Sequence, residues 1–224
     1  MRPERVRAVL LDMDGTLVDA FGPIVTALNR TLADFGLPEM SEADIRRHTG
    51  RGECSMISLF GERREQAAER FLTYHDERLL DVRPMPGAEA LLDWLATSGI
   101  PAAIVTSKHQ DRAERQLAHL GWRHRFSAVI GLCDGRRQKP DPHTLLLACE
   151  ALDVEPAQTI MVGDGTADMK AARRAGSLPV GLAHDFTPEE LTEAGAARCF
   201  DSLDQVRLWL ESSLDGAAAG ARAA

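Results

Sequence analysis

Residues 8–11 form an unbroken apolar run, AVLL, that stops abruptly at Asp12-Met13-Asp14-Gly15. A run so short and so sharply bounded suits a strand buried on both faces, as in a parallel sheet. Similar runs recur at 102–105, 128–130, 159–162 and 179–182. The segments between them carry helical period. Ala88, Leu91, Leu92 and Leu95 fall at i, i+3, i+4 and i+7, and Ala113, Leu117 and Leu120 follow the same template. Gly121 and Gly176 stand where helix C-terminal caps belong. Strands alternating with helices predict an α/β fold, a Rossmann-like parallel sheet core with helices on both faces.

One stretch breaks the alternation. From about residue 21 to 80 the pattern is helical throughout, with Ile24, Leu28, Leu32 and Phe35 on one face and Gly36 as a stop. Ser41 followed by Asp44 resembles a helix-capping signal. Ala68, Phe71, Leu72, His75 and Leu79 make a second stripe. This reads as an α-helical subdomain, 19–83, inserted into a core made of 1–18 and 84–214. Pro84 and Pro86 should exclude regular structure at its exit. The small-residue segment 215–224 reads as a flexible tail.

A chain of 224 residues suits one domain carrying such an insertion. Its 26 basic against 34 acidic residues, a net charge of −8, argues against nucleic-acid or anionic-membrane partners. No apolar stretch reaches the length of a membrane span, and the N-terminal run is too short for a signal peptide. Cys54, Cys133, Cys149 and Cys199 form no CxxC pair, which disfavours zinc and fits reduced thiols in a cytoplasmic protein. Cys133 reads as a buried small residue.

The chemistry concentrates at strand ends, where open α/β sheets bind ligands. Asp12 and Asp14, directly after the first strand, form a dense negative pair that a hard divalent cation would relieve, and oxygen-only ligands suit Mg²⁺. An acidic turn is the plainer alternative. Far along the chain Gly163-Asp164-Gly165-Thr166-Ala167-Asp168 places two more carboxylates after another strand. It lacks the third glycine of a dinucleotide loop. Thr106-Ser107 ends the second core strand with hydroxyls and amides. Lys139 precedes Pro140-Asp141-Pro142, a turn able to fix an ammonium over the site.

This ordered set resembles the haloacid dehalogenase superfamily in its phosphatase branch, and the insertion looks like the small helical cap of its phosphoglycolate phosphatase and β-phosphoglucomutase subgroup. The resemblance implies Asp12 as nucleophile, forming an aspartyl-phosphate, and Asp14 as general acid and base. It implies Thr106, Ser107 and Lys139 around the phosphoryl group. Mg²⁺ would be held by Asp12, the Asp14 backbone carbonyl and Asp164, with Asp168 in support. Dehalogenases of the superfamily lack the second aspartate, so Asp14 disfavours carbon–halogen cleavage. Arg51 or His48, in the basic run Arg46-Arg47-His48-Thr49-Gly50-Arg51-Gly52, is a candidate for a second anionic group on the substrate, a solvated charged loop being the plainer alternative. The function so implied is hydrolysis of a small phosphorylated metabolite, phosphoglycolate being the best named candidate, by a monomer or homodimer. A sugar phosphomutase and a non-catalytic phosphate-sensing or partner-binding protein are the alternatives.

Overall fold

A computed structural model of the protein describes residues 6–51 and 59–221. The apolar runs form one parallel sheet: β1 (Ala8–Leu11), then β4 (Ala102–His109), β5 (Ala128–Leu132), β6 (Thr159–Gly163), β7 (Leu178–Leu182) and β8 (Arg198–Phe200), in the order β5-β4-β1-β6-β7-β8. Side-chain alternation splits each central strand between two cores. Val9, Leu11, Ile104, Ile160 and Val162 face one side, whereas Leu10, Ala103, Val105 and Met161 face the other. That explains the continuous apolar runs. β8 has only three residues, at the sheet edge, and left no comparable run in the sequence.

The insertion leaves and re-enters the core through a short antiparallel pair, β2 (Val18–Asp19) with β3 (Arg83–Pro84). Pro84 is thus in a strand, contrary to the expectation from its chemistry. It sits in a two-residue ribbon, an edge position that tolerates a missing N–H. Between these strands lie α1 (Phe21–Asp34), α2 (Glu42–Gly50) and α3 (Arg64–Glu77). Ser41 caps α2, its Oγ accepting from the Asp44 N–H at 3.1 Å. Phe21, Ile24, Leu28 and Leu32 of α1 pack with Ile45, Phe60 and Ala67 into a small core of their own. The helical pattern is interrupted, since 35–41 is irregular and Gly36 takes a positive φ of 69°.

On one face of the sheet lie α4 (Ala88–Thr97), α5 (Gln110–His119) and, later in the chain, the last helix. On the other lie α6 (His143–Leu152) and α7 (Thr166–Ala175), with α8 (Pro188–Ala194) beside them. The last helix, α9 (Leu203–Ala221), continues through residues expected to form a flexible tail. Alanine is the strongest helix former, so Ala217 to Ala219 extend an established helix at little cost. Among the described residues no helix is long and apolar enough to cross a membrane. Cys133 is exposed rather than buried.

Leu91 is fully buried between α4 and the sheet, whereas Leu208 on α9 is 55% exposed. Leu91→Ala should therefore cost about 2–5 kcal/mol, lowering Tm by roughly 4–20 °C for a domain of this size. Leu208→Ala should stay within about 0.5 kcal/mol. Thermal denaturation of the two variants checks both.

Candidate active site

β1 lies where the chain order reverses, with β4 on one side and β6 on the other. Leu11 is in register with both Ile104 and Val162, so the segments leaving these strands emerge together. Asp12 follows β1, its N–H bonded to the Val162 carbonyl at 2.9 Å. The next residues turn back sharply, the Gly15 N–H meeting the Val18 carbonyl at 2.9 Å. Gly15 needs its φ of +82°, and a Cβ there would fall 2.5 Å from Asp164 Oδ2. The glycine of the acidic turn is therefore what lets Asp164 approach β1. On the other side, the β4–β5 pairing shifts register between Val105 and His109, in the stretch that holds Thr106, Ser107 and Lys108.

Asp12, Asp164 and Asp168 converge, one carboxylate oxygen from each lying within 4.8 Å of the others. Lys139 is buried among them, its Nζ 2.7 Å from Asp12 Oδ1, 2.5 Å from Asp168 Oδ1 and 2.9 Å from the Val105 carbonyl. Asp168 also accepts from the Gly165 N–H at 3.0 Å, and Asp164 from the Thr16 hydroxyl at 2.7 Å. Burial, then the charges of Asp12 and Asp168, pushes the Asp164 carboxyl well above its ordinary range. Burial raises Asp168 to about 6, against the opposing pull of Lys139. For Lys139 burial works against the charge, but Asp12 and Asp168 outweigh it and raise its pKa. Charge at this strand edge is thus short of cation. All-oxygen donors in such a cluster fit Mg²⁺.

Asp14 stands apart from that cluster. Its Oδ1 receives the Nζ of Lys108 at 2.7 Å, and the same ammonium bonds Gln116 Oε1 at 2.5 Å. Gln116 is itself anchored to the Leu79 carbonyl at 2.7 Å. Thr16 closes the acidic motif 12–16 and Lys108 ends the segment 105–108, but the sequence assigns neither side chain a role, and nothing local to Gln116, on α5, marks it.

A cavity of about 280 Å³ separates the strand ends from the inserted helices, and Asp12, Asp14, Thr106, Ser107, Lys139 and Asp164 line its floor. Arg51 is exposed and is not among the lining residues, although its neighbours Thr49 and Gly50 are. Its charge acts on Glu190. The rest of the basic run ties the insertion to the core. Arg47 pairs with Glu190, donates to the Asp185 carbonyl at 2.6 Å and lies over the Phe186 ring at 4.6 Å. Glu190 is held down at about 2, first by the hydrogen bond from Arg47. Gly50 packs directly on Gly165, where any Cβ would overlap the Gly50 backbone.

Residues 9–180 match the family of haloacid dehalogenase-like hydrolases. The chain belongs to that family. It is 33% identical to a phosphoglycolate phosphatase of Rhodospirillum rubrum, over 91% of this chain and 90% of that protein. An N-acetylmuramic acid 6-phosphate phosphatase of Pseudomonas aeruginosa is 30% identical, over 85% and 87% respectively. Among solved structures, a haloacid dehalogenase-like hydrolase from Bacteroides fragilis superposes with a TM-score of 0.85 at 26% identity, covering 90% of this chain and all of that one.

A carboxylate whose pKa rises on folding favours the folded state only while protonated. That contribution is present below about pH 4 and is lost as pH rises through the folded values, about 6 for Asp168. A cation at the cluster should restore what is lost. Adding Mg²⁺ to the chelator-stripped hydrolase should therefore raise Tm more at pH 7.5 than at pH 5. Equal shifts at both, measured by scanning calorimetry, would contradict this electrostatic account.

Proposed function

We propose that this hydrolase is a Mg²⁺-dependent phosphatase of small phosphomonoesters, working in the cytoplasm through an aspartyl-phosphate on Asp12. The observation that carries the reading is the convergence of Asp12, Thr106, Lys139, Asp164 and Asp168 on one strand edge, beside Asp14. Free thiols at Cys133, Cys149 and Cys199 agree with a reducing compartment. The names of the two relatives agree with phosphate-ester hydrolysis. Phosphoglycolate is the candidate that the Rhodospirillum protein suggests.

A carboxylate is ionised at neutral pH and needs no adjacent base to attack phosphorus. In the proposed reaction an Asp12 oxygen bonds to phosphorus as the bond to the leaving alkoxide breaks. Thr106, the 106–108 backbone and Lys139 hold the phosphoryl oxygens, and Lys139 offsets the charge gathered there. Asp14, protonated from solvent as it is released from Lys108, delivers that proton to the leaving oxygen, and the carboxylate so formed takes one from the water that hydrolyses the aspartyl-phosphate. Lys108 holds the Asp14 carboxylate in the resting state, and the entering leaving oxygen would replace that contact. Mg²⁺ would be held by Asp12, the Asp14 carbonyl and Asp164, with Asp168 in support, and would neutralise the transferring phosphoryl group. The insertion 19–83 serves as the cap that shields the site from water. It contains no lysine.

Phosphate release from a panel of phosphomonoesters should require Mg²⁺ and fall by roughly 10⁴-fold or more in Asp12→Asn. Asp14→Asn should lower kcat by roughly 10²–10⁴-fold. No release from any ester by protein that binds Mg²⁺ normally would refute the reading and leave the phosphomutase or the phosphate-binding protein.

A further inference from the structure

The side of the cavity opposite the carboxylates, where a leaving group would lie, is walled by hydrocarbon. Phe21, Ile24 and Leu28 face it from α1, and Phe71 and Leu72 from α3. Among the described residues of α1 and α3 that line the cavity and form this roof, one is polar. His75, one turn beyond Phe71, is 2% exposed, and neither of its ring nitrogens has a hydrogen-bond partner. Its ring stacks on Phe71 with centroids 5.5 Å apart and planes 11° from parallel. Burial, reinforced by the charges of Lys108 and Arg112, lowers its pKa to about 4. The imidazole is therefore neutral at pH 7 and has one donor and one acceptor to give. Leaving both unused in a buried place is costly, and a ligand group that met either would recover part of that cost.

The lysines and arginine that line the cavity are already engaged. Lys139 serves Asp12 and Asp168, Lys108 serves Asp14, and Arg112 makes bonds of 3.0 and 2.8 Å to Asp76. Of the other described lining residues, the neutral His75 apart, only His109, exposed at the end of β4, can carry a positive charge, so a carboxylate set against Phe71 and Leu72 would lose its water with every lining lysine and arginine already engaged.

We propose that the hydrolase selects phosphomonoesters of an uncharged, largely hydrocarbon alcohol that offers His75 a hydroxyl or carbonyl, and disfavours esters of hydroxy acids such as phosphoglycolate. The proposal rests on the phosphatase reading above, and in place of phosphoglycolate, the candidate suggested by the Rhodospirillum relative, it assigns a different substrate class. His75 is a specificity residue in this scheme and takes no part in the bond changes at phosphorus.

The test compares phosphoglycolate with ethyl, butyl, hexyl and 4-hydroxybutyl phosphate, alongside calorimetric binding of the inert analogues phosphonoacetate and butylphosphonate. Each methylene that the roof buries should raise kcat/KM roughly fourfold until the chamber is full. Butyl phosphate should exceed phosphoglycolate at least tenfold. His75→Phe keeps the ring stack and removes the polar atoms. It should shrink the preference for 4-hydroxybutyl over butyl phosphate about fivefold or more, whereas a purely packing role would move both substrates alike. Leu72→Arg, which adds a cation to the roof, should shift the ranking toward phosphoglycolate. Phosphoglycolate as the best substrate of the unaltered chain, or an unmoved hydroxybutyl-to-butyl ratio in His75→Phe, would overturn the proposal. If no ester turns over, the phosphatase reading fails by itself, and the phosphonates still decide this one. Tighter binding of phosphonoacetate than of butylphosphonate would contradict it, and the reverse would support it.

Discussion

Lys139, with 3% of its side chain exposed, lies between Asp12 and Asp168, and the arrangement of the strand edge follows from that contact. Three carboxylates, Asp12, Asp164 and Asp168, crowd the ends of two neighbouring strands, and without a cation among them their repulsion and desolvation would oppose folding. One ammonium compensates part of the charge. The raised pKa values of Asp164 and Asp168 mark the part left over. The protein thus keeps a buried negative cluster electrostatically unsatisfied, a condition that favours a divalent cation there. Stability and chemistry compete at this edge, as is common where function is concentrated.

The same edge explains how the inserted helices are held. Gly165 lets the backbone at Gly50 come down onto the second acidic motif, and the Arg47–Glu190 pair fixes α2 beside α8. One segment thus brings Asp164 and Asp168 to the floor of the cavity and gives the insertion a seat. The roof is set by the inward faces of α1 and α3. Its hydrocarbon character is at once a continuation of the small core beneath it and the surface that a leaving group would meet.

Much of this was legible in the sequence because strands buried on both faces leave unmistakable apolar runs. β1 begins and ends where its run does, and β6 overruns its run by a single residue, Gly163. The acidic motifs stood out because they abut those runs. What stayed hidden depends on contacts between distant segments. Gln116 meets Lys108 across a turn of chain and Leu79 from the insertion. His75 reads in the sequence as one more member of an amphipathic stripe, and only its missing partners distinguish it from a packing residue. The basic run 46–52 reads in the sequence as a candidate anion site within the inserted helices, yet Arg47 is engaged with Glu190 and Asp185, and Arg46 lies within 3.7 Å of Asp19 and Asp185. Composition could not separate a latch from a ligand site. The two-residue β2 and β3 are too short for any periodicity to reveal.

The central claim is that the Asp12 carboxylate, steadied by Lys139, is the atom set that takes the phosphoryl group. Acid-quenching the hydrolase during turnover, reducing acyl-phosphates with borohydride and mapping the peptides by mass spectrometry tests it directly. The account predicts conversion of the residue 12 side chain to homoserine, dependent on both substrate and Mg²⁺. Steady turnover with residue 12 unmodified and another side chain reduced or phosphorylated instead would contradict it.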